Sequence, residues 1–222
     1  TGLFISPFVL DFRERMQTDG RLIPREAFAD IASRVRAAAE RLAAEGMDAT
    51  EFELVTACGL LWFRETACDF VVLEVGLGGR FDATNVIDRP ECAVIAKIAL
   101  DHTAILGDTV EQIAMEKCGI IKGACEVVSV PGQAPGALEV IRETCRRTGA
   151  RLTVPEPPEP IAVTLGSCRF FAGGLKWMIP LGGAHQLQNA AAALAVLEAL
   201  RRQGVRIPPE RAAAGIAVLH FP

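Results

Sequence analysis

The chain's 222 residues are half hydrophobic, enough to bury the core of one sizeable α/β domain. Its 23 basic and 27 acidic residues leave a net charge of −4, and no basic run is interleaved with aromatics, so nucleic acid is not an expected partner. No signal-peptide pattern and no apolar run of the roughly 18 residues a membrane span needs is visible, and the 7 cysteines, without a C-x-x-C pair, read as reduced core thiols of a cytoplasmic protein.

Residues 3–5 are an apolar, strand-like run that ends at Ser6-Pro7, where proline blocks simple continuation. A second extended piece is expected at 15–17, closed by an Asp19-Gly20 turn. Pro24 opens a helix as a first-turn residue, with Phe28, Ile31, Val35, Ala38 and Leu42 on its apolar face and Gly46 past its end. Thr50 and Glu53 have the spacing of a capping box, which predicts a second helix through the apolar stretch 54–63.

The stretch 69–85, DFVVLEVGLGGRFDATN, is the centre of the chain. Residues 70–73 are continuously apolar, as a strand buried on both faces requires, and Glu74 ends the run with a charge. Gly76, Gly78 and Gly79 permit a sharp turn or a close ligand approach, while Arg80, Asp82, Thr84 and Asn85 crowd polar groups behind them. Phe81 holds the third position of G-x-G-x-x-G, so this is not a dinucleotide fingerprint. In an open parallel sheet, ligands bind beyond the carboxyl ends of the strands. Glu74 is therefore placed either to hold a metal or ligand or to be a solvated carboxylate at a strand exit.

The run 93–100 is the next strand candidate and stops at Asp101-His102-Thr103. Gly107-Asp108 with Glu111 predicts another capping box, opening a helix through Ile113 to about Cys118, where Gly119 breaks the pattern. A strand at 127–130, a helix at 135–147 and a strand at 151–154 continue the alternation that signals a parallel, three-layer α/β fold. The proline-dense stretch 155–160 reads as a stiff connector, and the short runs at 161–165, 168–172 and 175–181 as an antiparallel meander. A helix at 185–201, with Leu187, Ala190, Leu194 and Leu197 on one face and Gly204 as its stop, precedes a last helix from Pro208.

Three expected strands thus end in Ser6, Glu74 and Asp101-His102. A hydroxyl, a carboxylate and an imidazole on neighbouring strand ends suit Mg²⁺ or Mn²⁺. Each alone has a plainer reading: Ser before Pro as a turn residue, His after a strand as a hydrogen-bonded structural residue. Lys117 suits a helix C-terminus in any case, Asn189 suits a solvated helix face, and Glu53 is accounted for by capping.

In order and spacing, TGLFISPF, TEFELVTA, LEVGLGGRFDATNVI, IALDHTAILGDTVEQIAMEKCGII and GAHQLQNAAAALA resemble the central ATPase domain of the folylpolyglutamate synthase and dihydrofolate synthase family, within the Mur ligase superfamily. The most specific pieces are EVGLGGR-x-DATN and LDHT-x-x-LGDT. The resemblance implies a three-layer, mostly parallel α/β fold related to P-loop NTPases, with a small antiparallel meander. It also implies a reaction in which ATP phosphorylates a carboxylate of dihydropteroate or folate, and the amine of L-glutamate then attacks the acyl phosphate, with Mg²⁺ supplying much of the electrostatic stabilisation. The alternatives are another Mur-type amino-acid ligase and a non-catalytic pterin-binding fragment.

Carried over residue by residue, the resemblance implies Ser6, Glu74 and His102 as Mg²⁺ ligands, and Asp101, His102 and Lys117 as the catalytic set, Lys117 being the lysine that the family carbamylates. It implies Asn189 on the adenine side of ATP, and Thr50, Glu51, Phe52 and Glu53 with Phe81, Asp82 and Ala83 facing the pterin substrate. There are departures: Phe8 stands where the family has the His of S-P-H, and Ala96-Lys97 where it has a Ser or Thr. The family's phosphate loop, G-T-N-G-K-G-S, occurs nowhere in the 222 residues and is expected upstream of Thr1, while a hinge and a glutamate-binding domain are expected from His220-Phe221-Pro222 onward. The chain by itself is accordingly expected to be inactive, and the complete enzyme to be a monomer with only small-molecule partners.

Overall fold

The computed structural model describes residues 1–219, so the hinge expected at His220-Phe221-Pro222 lies outside the described residues. Two compact units emerge, Thr1–Ile87 and the residues from Asp88 onward.

The first unit comprises β1 (Gly2–Phe4), β2 (Met16–Thr18), β3 (Arg21–Leu22), α1 (Arg25–Ala44), α2 (Glu51–Glu65) and β4 (Val71–Leu73). The sheet runs β3-β2-β1-β4, with β1 antiparallel to β2 and parallel to β4. Asp19 and Gly20 take φ of 50° and 74°, the left-handed pair that a two-residue hairpin requires. Phe4, Met16, Ile23, Ile31, Cys58 and Phe63 form the core beneath α1 and α2. Thr50 caps α2 as its spacing predicts: its Oγ1 accepts the Glu53 N–H at 3.3 Å, and Glu53 accepts the Thr50 N–H at 2.7 Å. Pro24 sits one residue earlier than expected, as the N-cap of α1.

One expectation fails here. Residues 70–73 are not buried on both faces: Val71 and Val72 are 38% and 56% exposed, and among the described residues β4 lies at the edge of its sheet, paired with β1 alone.

A short 3-10 turn at Phe12–Arg15 was not anticipated. Glu14, 6% exposed, organises it by accepting the N–H groups of Val9, Leu10 and Asp11 at 2.7, 3.0 and 2.8 Å. These bonds lower the Glu14 pKa, and hydrogen bonds from Arg13 lower that of Asp11 to about 2. Carboxylates with depressed folded values contribute stability that is full above their unfolded values and lost as pH falls through the folded ones. Thermal melts followed by circular dichroism should therefore lose stability between about pH 4.5 and 2, with Asp11→Asn flattening that acid limb.

The second unit begins with β5 (Cys92–Ile95), α3 (Thr103–Leu106), α4 (Val110–Lys117), β6 (Glu126–Ser129), α5 (Pro135–Thr148) and β7 (Arg151–Thr153). Its sheet, β5-β6-β7, is wholly parallel. An antiparallel meander of β8 (Glu159–Val163), β9 (Cys168–Ala172) and β10 (Leu175–Ile179) follows, then α6 (His185–Arg202) and α7 (Pro209–Ala217). Val127 packs with Ile113 of α4 and Ile141 of α5, whereas its neighbour Val128 packs with Ala192 and Ala195 of α6. Successive residues of β6 point to opposite faces, so helices cover both faces and the three-layer arrangement holds for this unit. α6 also turns Leu187 and Ala190 toward Phe170 and Trp177 of the meander.

Three local expectations shift. The capping box of α4 is Thr109 with Gln112, one residue later than Asp108 with Glu111: Thr109 Oγ1 accepts the Gln112 N–H at 3.2 Å, and Gln112 Oε1 accepts the Asp108 and Thr109 N–H groups at 2.7 and 3.2 Å. Both pairs have cap spacing, and the displaced Glu111 carboxylate lies over Gly136 in the first turn of α5, where the helix dipole favours an anion. The strand expected over 93–100 ends at Ile95. Glu159 and Pro160 belong to β8 rather than to a connector, since an edge strand with a register shift between Pro160 and Ala162 tolerates proline.

The chain enters α6 through Gly182, where an added Cβ would lie 1.9 Å from the Leu165 carbonyl oxygen at the β8–β9 tip. Backbone, unlike a flexible side-chain end, cannot step aside. Gly182→Ala should cost about 3 kcal/mol, read as a lowered midpoint in urea unfolding.

Candidate functional site

In the first unit the parallel pairing of β1 and β4 sets their carboxyl ends side by side. The Glu74 N–H donates to the Phe4 carbonyl at 2.9 Å, and the Ser6 N–H donates to Glu74 Oε2 at 2.7 Å. The Ser6 hydroxyl and Glu74 Oε1 have no partner among the described residues, leaving two oxygen donors at adjacent strand ends.

The loop that follows is stapled by Asp82. Its Oδ2 accepts the Leu77 N–H at 2.9 Å, and its Oδ1 accepts the Thr84 N–H at 2.9 Å and the Thr84 hydroxyl at 2.5 Å. Asp82 thus serves the loop's own conformation, while the preceding Phe81 is 90% exposed. Phe52 packs onto the start of this loop: a Cβ on Gly76 would meet its ring at 2.6 Å. The first turn of α2, carrying Thr50, Glu51, Phe52 and Glu53, and the loop carrying Phe81, Asp82 and Ala83 therefore adjoin at Gly76. Glu53 accepts from both the N–H and the hydroxyl of Thr50, which lowers its pKa and keeps it ionised.

In the second unit His102 adopts left-handed backbone (φ 49°) at the N-cap of α3. Asp101 Oδ1 accepts the His102 backbone N–H at 2.8 Å, and Asp101 Oδ2 lies 3.7 Å from His102 Nε2, so the two side chains are neighbours on the surface. Lys117 is the last residue of α4 and half-buried. Asn189, exposed on α6, donates to Gln186 Oε1 at 3.1 Å. Ser6 and Glu74 belong to the first unit, His102, Lys117 and Asn189 to the second. Among the described residues no group of three or more His, Cys, Asp or Glu side chains is placed to hold a metal ion. Sequence reasoning passed over Gln133, a buried amide that grips the exit of β5 and carries no motif.

No family model matches the chain. Over its whole length, however, it is 37% identical to the dihydrofolate synthase/folylpolyglutamate synthase of Bacillus subtilis, covering 54% of that protein. Over its whole length the chain is thus similar to enzymes named folylpolyglutamate synthase and dihydrofolate synthase. The dihydrofolate synthetase of Saccharomyces cerevisiae is a more distant relative, 31% identical over 90% of this chain and 46% of its own length. Among solved structures, the apo form of L. casei folylpolyglutamate synthase superposes with a TM-score of 0.91 at 33% identity, over 100% of this chain and 56% of its own. A family structure described as a complex with AMPPCP and folate has the same TM-score of 0.91, at 32% identity over 100% of this chain and 56% of its own. The chain spans about half the length of the curated relatives it matches. No helix among the described residues is long and apolar enough to cross a membrane.

Proposed function

We propose that the protein carrying this chain is an ATP-dependent ligase that joins L-glutamate to a carboxylate of dihydropteroate or folate through an acyl phosphate, and that this chain supplies part of its central ATPase domain. The observation that carries the reading is the Ser6–Glu74 contact at the ends of two parallel strands, in a chain that aligns end to end with enzymes of that name. The relatives described with ATP analogues and folate support ATP as the co-substrate and a pterin as the acceptor.

The residues present fit a Mg²⁺ ion, because a hydroxyl and a carboxylate oxygen without other partners are the hard donors it prefers. Ser6 and Glu74 would hold it, and its charge would offset that of the transferring phosphoryl group. Asp101 fixes the backbone of His102 at the start of α3. Asn189 lies on the adenine side, and Phe81 with the first turn of α2 faces the pterin, with Asp82 keeping the loop in shape. The free thiols at all 7 cysteines support a reducing, cytoplasmic setting, and the proposed substrates are small molecules.

A substrate panel tests this. ADP formation should require both a pterin carboxylate and L-glutamate, and comparing dihydropteroate with folate assigns the acceptor. ADP formation driven by a cell-wall precursor instead would overturn it.

A further inference from the structure

The ladder between β5 and β6 ends where the Val130 N–H donates to the Ile95 carbonyl at 3.0 Å, because Pro131 has no N–H and the chain turns away at Gly132 with φ 72°. Gln133 takes over from there. Its Nε2 donates to the Ala96 carbonyl at 2.7 Å and its Oε1 accepts the Ile98 N–H at 3.0 Å, so one carboxamide stands in for the peptide group of a neighbouring strand. The side chain is 9% exposed, and a buried amide is costly to keep unless both its ends are satisfied. An apolar residue would fill the same space without that requirement. What the amide alone achieves is to fix the backbone on either side of Lys97.

Lys97 lies between the two gripped groups, and its ammonium reaches over Gly132. A Cβ built on Gly132 would be 3.7 Å from Lys97 Nζ and 3.6 Å from Gln188 Nε2, so a cation and an amide donor approach one spot. Lys97 forms no ion pair among the described residues. A cation and a neutral donor that face one spot are an arrangement for an anionic oxygen. Family resemblance does not account for it, since the family has Ser or Thr where Ala96-Lys97 stand.

We propose that Lys97 and Gln188, aligned by the grip of Gln133 on the exit of β5, form a subsite for a phosphoryl oxygen. That the phosphate belongs to a nucleotide rests on the proposed function; the subsite itself does not. In ¹⁵N-labelled chain, millimolar tripolyphosphate should shift the amide signals of Lys97, Gly132 and Gln188, with affinity retained in Lys97→Arg and weakened about tenfold in Lys97→Met, the effect of one charge-assisted hydrogen bond. Equal tripolyphosphate affinity in Lys97→Met, or no response in the unsubstituted chain, overturns the subsite. Adenosine separates the two readings. Shifts around Asn189 with adenosine but none with tripolyphosphate would keep the nucleotide and remove the subsite, whereas the opposite pattern would keep the subsite and point to free phosphate.

Discussion

Glu74→Gln in the protein that carries this chain should lower glutamate-ligating turnover by at least about 100-fold, the scale of losing a metal-held charge at a phosphoryl-transfer centre. The fold should survive, because Glu74 is exposed and the glutamine Oε1 can still accept the Ser6 N–H that Glu74 accepts at 2.7 Å. What changes is the second oxygen. A carboxylate offers Mg²⁺ a charged ligand there, whereas the amide nitrogen offers none. Glu74→Asp separates geometry from charge: it keeps the anion but retracts it from Ser6, so raising the Mg²⁺ concentration should restore part of its activity and none of that of Glu74→Gln. Turnover of Glu74→Gln within a few-fold of the unsubstituted protein at saturating Mg²⁺ would remove Glu74 from the metal site.

Features with a local physical cause were legible in the sequence. The Thr50–Glu53 box needs only residues three apart, the Asp19-Gly20 hairpin only two left-handed positions, and α6 only its apolar spacing and the Gly204 stop. Features decided by distant partners were not. Val71 and Val72 look like a doubly buried strand, and only the sheet order reveals an edge. Two overlapping cap patterns compete at α4, and the one adopted sets Gln112 against Gly107, where an added Cβ would lie 2.6 Å from that of Gln112. The site divides in the same way. Ser6 and Glu74 stand out in the sequence because each follows a strand, and the structure places them in hydrogen-bond contact at adjacent strand ends. The bonds of Asp82 to Leu77 and Thr84 were not foreseeable, since any aspartate in a glycine-rich loop reads equally well as a ligand contact. Gln133 was silent because its partners, Ala96 and Ile98, lie more than thirty positions away.

Lys117→Ala should cost roughly 100-fold in turnover in the same protein and be partly rescued by acetate or propionate. Lys117 closes α4, and the next residues tighten into the 3-10 turn Cys118–Ile120. At that end the helix dipole favours the ammonium by about 0.3–1 kcal/mol, which by itself explains a lysine. A carbamate reverses the charge and is disfavoured there by a similar amount, so it persists only where a cation offsets it. Carbamylation and metal binding at Lys117 should therefore be linked: each promotes the other by the same factor. In ¹³C-bicarbonate NMR, the carbamate signal should grow on adding Mg²⁺ and vanish in Lys117→Ala. Added carboxylate restores turnover in that variant because a free anion occupies the place of the carbamate, and it should do nothing for Glu74→Gln, where the ligand itself is altered. Unchanged kinetics in Lys117→Ala would leave the lysine as a helix-terminal cation and nothing more.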